Sequence, residues 1–364
     1  MNQNEKELVL TLCRFQNPNR KALWELIGKG AMTSAVLGEL FWNRAAGVAC
    51  AVLEKAELMS RVPREARTAL RGARTQNREY NRSFFRCVGA LHDALRSCGE
   101  HYAMLKGAYL CGKYPEGCRT SNDVDLLVPP EFLSEIGEAL LRDGYRQGAV
   151  QNGVFIPAKR EEIIRSRMMR GETVPYIKEV NLPYLRYFEV DINFSMDYKN
   201  GKLELVRELV ERAVTAETGG MEIRTLACDD FFLHLCAHLY KEATTYPWIR
   251  MKRDMTLYKY IDLYMLLHEM AMPAADAIAA RAHALGLCTE CYFAVSETVN
   301  LFGDESGAGM CILRGLPDVD MDGLFSVISP EEKKEYRYTE RDTMRRFFCA
   351  DRETLLEEVG IWKP

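Results

Sequence analysis

The chain has 364 residues, of which 48% are hydrophobic and 27% are charged, and its formal net charge is −4. These values are ordinary for a globular protein, so they exclude a disordered or fibrous chain, and the length suits two or three domains. A weakly acidic chain also lacks the basic excess typical of a general nucleic-acid binder.

The first part of the chain has helical periodicity. Phe84, Val88 and Leu91 recur at intervals of four and three residues, which places them on one helix face. We therefore predict an N-terminal helical domain over residues 1–98, with a scaffold role.

A short apolar run, Tyr102 to Leu105, is interrupted by Lys106 and Gly107 where a helix can begin at Ala108. Glycine lets a backbone approach a ligand closely, and the free N–H groups of a helix N-terminus attract phosphate oxygens. This pattern predicts a strand, a turn and a helix start that together favour phosphate binding.

The next strand carries two acids. In the sequence 123–128, Asp123 and Asp125 point to one face and the apolar side chains Val124, Leu126 and Val128 to the other, because strand side chains alternate. Two carboxylates about 7 Å apart repel each other, and a hard cation such as Mg²⁺ is the usual reason to keep them together. Arg119 and Ser121 precede the pair as a positive charge and a hydroxyl.

A third acid is expected from another strand, because two-metal phosphoryl-transfer sites draw ligands from separate segments. Residues 187–194 alternate, with Glu189, Asp191 and Asn193 on the face opposite the apolar residues. Asp191 is the predicted third ligand and Glu189 its alternative. The competing interpretation is an edge strand with one solvated face.

The remaining pattern completes the organisation. A mixed α/β core is predicted over residues 99–225 and a C-terminal helical domain over residues 226–364. Further strands are expected at 145–155, 174–180 and 184–194, a short apolar segment lies at 221–226, and helices are expected at 257–270, 274–285, 330–336 and 354–359.

Other candidate sites are weaker. His234 and His238 share a helix face, but a zinc site would need a third ligand. Cys288 and Cys291 form one Cys-x-x-Cys without a second pair at zinc spacing, so neither zinc nor redox chemistry is favoured. The basic segment 159–170 is either a solvated helix face or an anion-binding surface.

Taken together, the Lys106-Gly107 turn, the Arg119 to Val128 segment and Val190-Asp191 resemble the polymerase-β-like nucleotidyltransferase superfamily, and within it the uncharacterised nucleotidyltransferases. The resemblance extends through the helical signature 226–239 and through 260–263, so it covers roughly residues 78–270. It implies an α+β fold, with a polymerase-β-like core and a mixed sheet flanked by helical domains at both ends.

The resemblance also implies the site. Asp123, Asp125 and Asp191 would be catalytic and would bind two Mg²⁺ ions. The nucleotide-binding residues would be Lys106, Gly107, Arg119, Ser121, His238 and Lys241. The superfamily usually has Gly-Ser where this chain has Gly107-Ala108, and relatives often have histidine where this chain has Asn193.

The expected reaction moves a nucleoside monophosphate from a triphosphate, ATP by default, to an acceptor hydroxyl. The net charge favours a small-molecule acceptor over long nucleic acid and leaves tRNA open. Two alternatives remain: a toxin-like enzyme that modifies RNA or protein, and a non-catalytic nucleotide-binding protein. With no apolar run of about 18 residues and no signal-peptide pattern, we expect a cytoplasmic protein without a membrane partner.

Overall fold

The computed structural model describes residues 1–169, 171–195, 203–316 and 319–362. The chain divides into two compact units, one formed by Met1–Leu70 with Phe232–Pro364 and the other by Arg71–Phe231. The sequence places its boundaries at 98/99 and 225/226, whereas the units meet at 70/71 and 231/232. The difference arises because most of one long helix packs into the core of the second unit.

The described residues form α-helices in both compact units. They are α1 (Gln3–Thr11), α2 (Arg20–Gly28), α3 (Ser34–Trp42), α4 (Ala46–Lys55), α5 (Arg64–Leu95), α6 (Gly107–Leu110), α7 (Leu133–Arg142), α8 (Arg160–Met169), α9 (Leu203–Glu211), α10 (Cys228–Ala243), α11 (Tyr246–Arg250), α12 (Leu257–Glu269), α13 (Met272–Leu285), α14 (Cys288–Phe302), α15 (Ala308–Gly315) and α16 (Thr343–Phe347).

The described residues also form β-strands. They are β1 (Ala103–Met104), β2 (Asp123–Leu127), β3 (Arg146–Gln151), β4 (Val154–Pro157), β5 (Tyr176–Leu182), β6 (Leu185–Asn193), β7 (Val214–Thr218), β8 (Met221–Thr225), β9 (Ser326–Ser329), β10 (Lys334–Tyr338) and β11 (Leu356–Ile361).

The second unit is built on a mixed sheet with the order β4-β3-β5-β6-β2-β1-β8-β7. The β1–β8 and β2–β6 pairs are parallel, and the other neighbouring pairs are antiparallel. A mixed sheet with helices outside it confirms the predicted α+β class.

The core of this unit lies between the sheet and α5. Phe84, Val88 and Leu91 are fully buried, and the Phe84 ring meets the Phe188 ring of β6 edge to face with centroids 5.9 Å apart. Burying such a stripe contributes roughly 1.5–3 kcal/mol for each large side chain. The helical periodicity therefore identified the core face of α5 correctly.

The first unit holds a smaller sheet with the order β11-β10-β9. The helices predicted at 330–336 and 354–359 are wrong, because residues 334–338 form β10 between two antiparallel partners and residues 356–361 form β11. Charged residues such as Glu335 have helix propensity, but pairing on both sides of a strand overrides it.

No single helix in the described ranges has the length and apolar character needed to cross a membrane. Taken together, α3 and α4 reach that length and composition, but they are bent by 118° relative to each other.

Candidate active site

The site is centred on two neighbouring parallel strands. In the register of β2 and β6, Asp123 lies opposite Glu189 and Asp125 opposite Asp191. Facing residues on paired strands project to the same side of a sheet, with strands about 4.8 Å apart. Four carboxyl groups therefore share one small area of the sheet.

The other face of the same strands is apolar. Val124, Leu126, Val190 and Ile192 are fully buried, whereas Asp123, Glu189 and Asp191 are only partly buried. This is the alternation that the sequence predicted for both strands. Packing of the apolar face fixes the register, because a shift by one residue would exchange the two faces.

A lysine enters the carboxylate group from the turn after β1. The backbone N–H of Leu105 donates to the Asp125 carbonyl at 2.9 Å, and the chain then turns at Lys106, whose φ is +45°. Lys106 Nζ lies 2.7 Å from Asp125 Oδ1. A non-glycine residue in this conformation is strained, which is a common feature of functional sites.

Gly107 begins α6 and has a definite steric reason to be glycine. A Cβ atom at this position would lie 2.1 Å from Ser121 Oγ and 2.2 Å from Ser121 Cβ. The space beside Gly107 is thus filled by Ser121, which donates to Asp123 Oδ1 at 3.2 Å. The turn and the loop before β2 fit together only because position 107 lacks a side chain.

The loop that carries Arg119 and Ser121 is held by α5. Asn81 Nδ2 donates to the Arg119 carbonyl at 2.9 Å, and the Tyr80 hydroxyl donates to the Ser121 carbonyl at 2.7 Å. Arg119 is itself buried and donates to the Thr120 carbonyl. The sequence did not identify Tyr80 and Asn81, whose only signal was polar character beside the apolar stripe of α5.

Burial, together with the neighbouring acids, raises the pKa of two of these carboxyl groups. The pKa of Asp191 lies well above its usual range because of burial first and then repulsion from Asp125, Asp123 and Glu189, while Lys106 opposes the rise. The pKa of Glu189 is also raised, by burial and by the same two aspartates of β2. Asp191 Oδ1 is shut off from solvent and has no hydrogen-bond partner.

The donor chemistry fits a hard divalent cation, since carboxylate oxygens are the ligands that Mg²⁺ prefers. Within the described residues, however, no three His, Cys, Asp or Glu side chains are already arranged as a metal site. Asp125 Oδ1 instead accepts from Lys106 at 2.7 Å and from Asn193 Nδ2 at 3.3 Å. The unpartnered oxygen of Asp191 is the observation that favours an additional cation here.

His238 and Lys241 lie on α10 in the other compact unit. His238 Nε2 is 3.4 Å from Glu242 Oε1, and Glu242 also pairs with Lys259. The His234 ring lies parallel to the His238 ring with centroids 6.4 Å apart. A nucleotide-binding role for His238 and Lys241 stays a prediction.

The basic segment 159–170 falls largely on α8. Lys159, Arg160, Arg165 and Arg167 are all exposed, as expected for a solvated helix face, and Arg170 lies outside the described residues. Cys288 and Cys291 are free thiols on α14.

A family model described as uncharacterised nucleotidyltransferase matches residues 33–303. The chain belongs to that family. Membership of a nucleotidyltransferase family supports nucleotidyl transfer as its general reaction and makes it a transferase. No curated protein and no solved structure matches the chain.

Gly107→Ala should destabilise the protein by about 1–3 kcal/mol, because the added methyl group overlaps Ser121. Chemical denaturation would measure the loss. Gly72→Ala is the matched control, since nothing lies within 4 Å of a Cβ there and the change should leave stability equal or higher. Adding Ser121→Gly to Gly107→Ala should recover part of the loss, and the absence of any recovery would contradict the steric explanation.

Asp191→Asn should stabilise the metal-free protein at pH 8, because it removes a buried charge repelled by its neighbours. The folded pKa of Asp191 lies above the unfolded value of 3.8, so wild-type stability should fall as the pH rises from about 4 through the folded pKa. Melting temperatures in EDTA from pH 4 to pH 8 would measure this. The increase in melting temperature caused by Asp191→Asn should become smaller as the pH falls toward 4. Glu217→Gln, at an exposed position of β7, is the control and should show no such pH dependence.

Proposed function

We propose that this protein is an Mg²⁺-dependent nucleotidyltransferase that moves a nucleoside monophosphate from a nucleoside triphosphate, ATP by default, to an acceptor hydroxyl. The observation that carries the proposal is the β2–β6 register, which sets Asp125 beside Asp191 and Asp123 beside Glu189. Such a group of acids is costly unless a cation joins it. Family membership supplies the reaction class.

Asp123, Asp125 and Asp191 would hold the magnesium, which when bound supplies Lewis-acid stabilisation of charge on the phosphate oxygens. Asp191 would also help to activate the acceptor hydroxyl. Its Oδ1 has no hydrogen-bond partner, and a cation held there would lower the pKa of a nearby hydroxyl and so ease the loss of its proton. In the transfer, the hydroxyl oxygen bonds to the α-phosphorus and pyrophosphate leaves.

Lys106 would bind the triphosphate. Its ammonium group already sits at the carboxylates, 2.7 Å from Asp125 Oδ1, and it can turn from that oxygen to a phosphate oxygen. Arg119 is buried within its loop, so its contribution would be to local positive charge and loop shape.

The Ser121 hydroxyl would take the place of the serine hydroxyl that the superfamily has directly after the glycine of the Lys106-Gly107 turn. The superfamily pattern has serine after the glycine, where this chain has Ala108, but the Ser121 side chain occupies the space directly beside Gly107. A hydroxyl is therefore present at the turn, although it comes from the loop before β2. This geometry favours Ser121 as a phosphate-contacting residue.

A polymerase-β-like core is part of the same proposal. Its support is the order of the elements. The strand β1 leads through the Lys106-Gly107 turn into α6, β2 then carries Asp123 and Asp125, and the parallel strand β6 carries Asp191.

Asp123→Asn combined with Asp125→Asn should lower Mg²⁺-dependent pyrophosphate release by about 1,000-fold or more, since the cation and its charge stabilisation of about 4 kcal/mol would be lost. Turnover with a labelled triphosphate and cell extract would be scored by pyrophosphate release.

The control for this experiment removes the same number of charges elsewhere on the sheet. Glu217 and Glu222 face each other on β7 and β8 and are exposed, so Glu217→Gln with Glu222→Gln should keep full turnover. Equal turnover in both double variants would eliminate the assignment of the active site.

Lys106→Met should raise the KM for the triphosphate by about 10-fold, the effect of losing one charge-assisted contact of about 1.4 kcal/mol, with a smaller change in kcat. Steady-state kinetics would separate the two parameters. Lys178→Met is the control: Lys178 lies on β5 of the same sheet and forms a 2.9 Å ion pair with Asp143, so its loss should leave KM unchanged. If Lys106→Met had the same KM as the wild type, Lys106 would not contact the triphosphate.

A further inference from the structure

The long helix α5 carries a row of arginines that the transfer reaction does not use. Its residues 64–95 include seven arginines and no lysine. At about 100° per residue, all seven fall within an arc of about 120° on the helix surface. They are Arg64, Arg67, Arg71, Arg74, Arg78, Arg82 and Arg86.

Five of these arginines, Arg71 to Arg86, belong to the second compact unit, and we refer to these five as the arginine face. Residues 71–86 contain one acid, Glu79, so the face has a clear excess of positive charge. The side chains of Arg78 and Arg82 are 41% and 69% exposed, and their ion pairs with Glu116 at 3.8 Å and Glu79 at 2.6 Å are surface contacts of little strength.

The arginine face adjoins the loop that leads to the carboxylates. Arg74 Nε donates to the Glu116 carbonyl at 3.1 Å, and Asn77 Nδ2 donates to the Gly117 carbonyl at 3.0 Å. Gly117 lies so close that a Cβ there would be 2.9 Å from Arg78 Cγ. The same loop continues through Ser121 into β2, so one short segment of the chain connects the arginine face with the strand that carries Asp123 and Asp125.

We propose that the arginine face binds the phosphate backbone of an RNA strand whose terminal hydroxyl is the acceptor. This inference rests on the proposed function and names its acceptor class. Guanidinium groups bind phosphate through two parallel hydrogen bonds and stack on unpaired bases, which suits a row of arginine without lysine. In the reaction, the terminal oxygen bonds to the α-phosphorus, pyrophosphate leaves, and the hydroxyl proton passes to a carboxylate of the site.

A membrane surface fits the arginine face less well. A helix that lies in a membrane interface inserts large apolar side chains beside its basic ones. The exposed large hydrophobic residues of the described chain include none on α5, whose apolar stripe is buried in the core. The whole-chain charge of −4 does not oppose RNA binding, because the relevant charge is local.

The test uses Arg82→Gln with Arg86→Gln, since both residues are exposed and the fold should survive. The probe is a fluorescein-labelled single-stranded RNA of 20 nucleotides, and anisotropy titrations measure Kd at several salt concentrations. Loss of two phosphate contacts should weaken binding about 10-fold at about 0.15 M salt and reduce the salt slope by about 1.4. Melting curves would check the fold of each variant.

Arg142→Gln with Arg207→Gln is the matched control, because it removes two charges from side chains that are 65% and 61% exposed elsewhere in the same unit. This control should bind the RNA as the wild type does. An equal loss in both double variants, no RNA binding by the wild type, or preferential binding to vesicles of anionic lipid would overturn the proposal.

Incorporation of labelled nucleotide separates this inference from the proposed function. Asp191→Asn should bind the RNA like the wild type but add no nucleotide to it. Nucleotide transfer to small molecules or to protein, without RNA binding, would overturn the proposal that the arginine face binds RNA but would be consistent with the proposed nucleotidyl transfer. RNA binding through the face without incorporation into any acceptor would retain the face as a binding surface and overturn both the assigned acceptor and the proposed function.

Discussion

The parallel pairing of β2 with β6 is the constraint on which the site depends. It places Asp125 beside Asp191 and Asp123 beside Glu189, and it brings together acids that are more than sixty positions apart in the chain. The apolar faces of the same strands hold the register by burial, so the stability of the core maintains the electrostatic strain of the site. Burial, and then repulsion from Asp125, Asp123 and Glu189, raises the pKa of Asp191.

Much of this was predictable from the sequence, because side-chain alternation is a local property. Val124 and Leu126 marked one face of β2, and Phe188 and Val190 did the same for β6, so the polar faces followed without any knowledge of the sheet. The periodicity of α5 identified Phe84 as a core residue for the same reason. The α+β class was implied by the resemblance to the nucleotidyltransferases.

Contacts between residues distant in the chain could not be predicted from local side-chain alternation. The sequence did not indicate that β6 is the parallel neighbour of β2, that Asn81 holds the Arg119 loop, or that Ser121 makes glycine necessary at position 107. Each depends on residues distant in the chain. The strand over residues 334–338 was misread as helix because its charged residues have helix propensity, and its pairing with β11, about twenty residues further along the chain, is not a local signal.

The contact between Lys106 and Asp125 has a consequence for how substrates assemble on the enzyme. Lys106 has a positive φ of +45°, and its ammonium group lies 2.7 Å from Asp125 Oδ1. Before loading, this ammonium group is an internal counter-ion. In the proposed reaction, a divalent ion would take over this role and leave the lysine available to an anionic nucleotide, so the two ligands should bind with positive linkage.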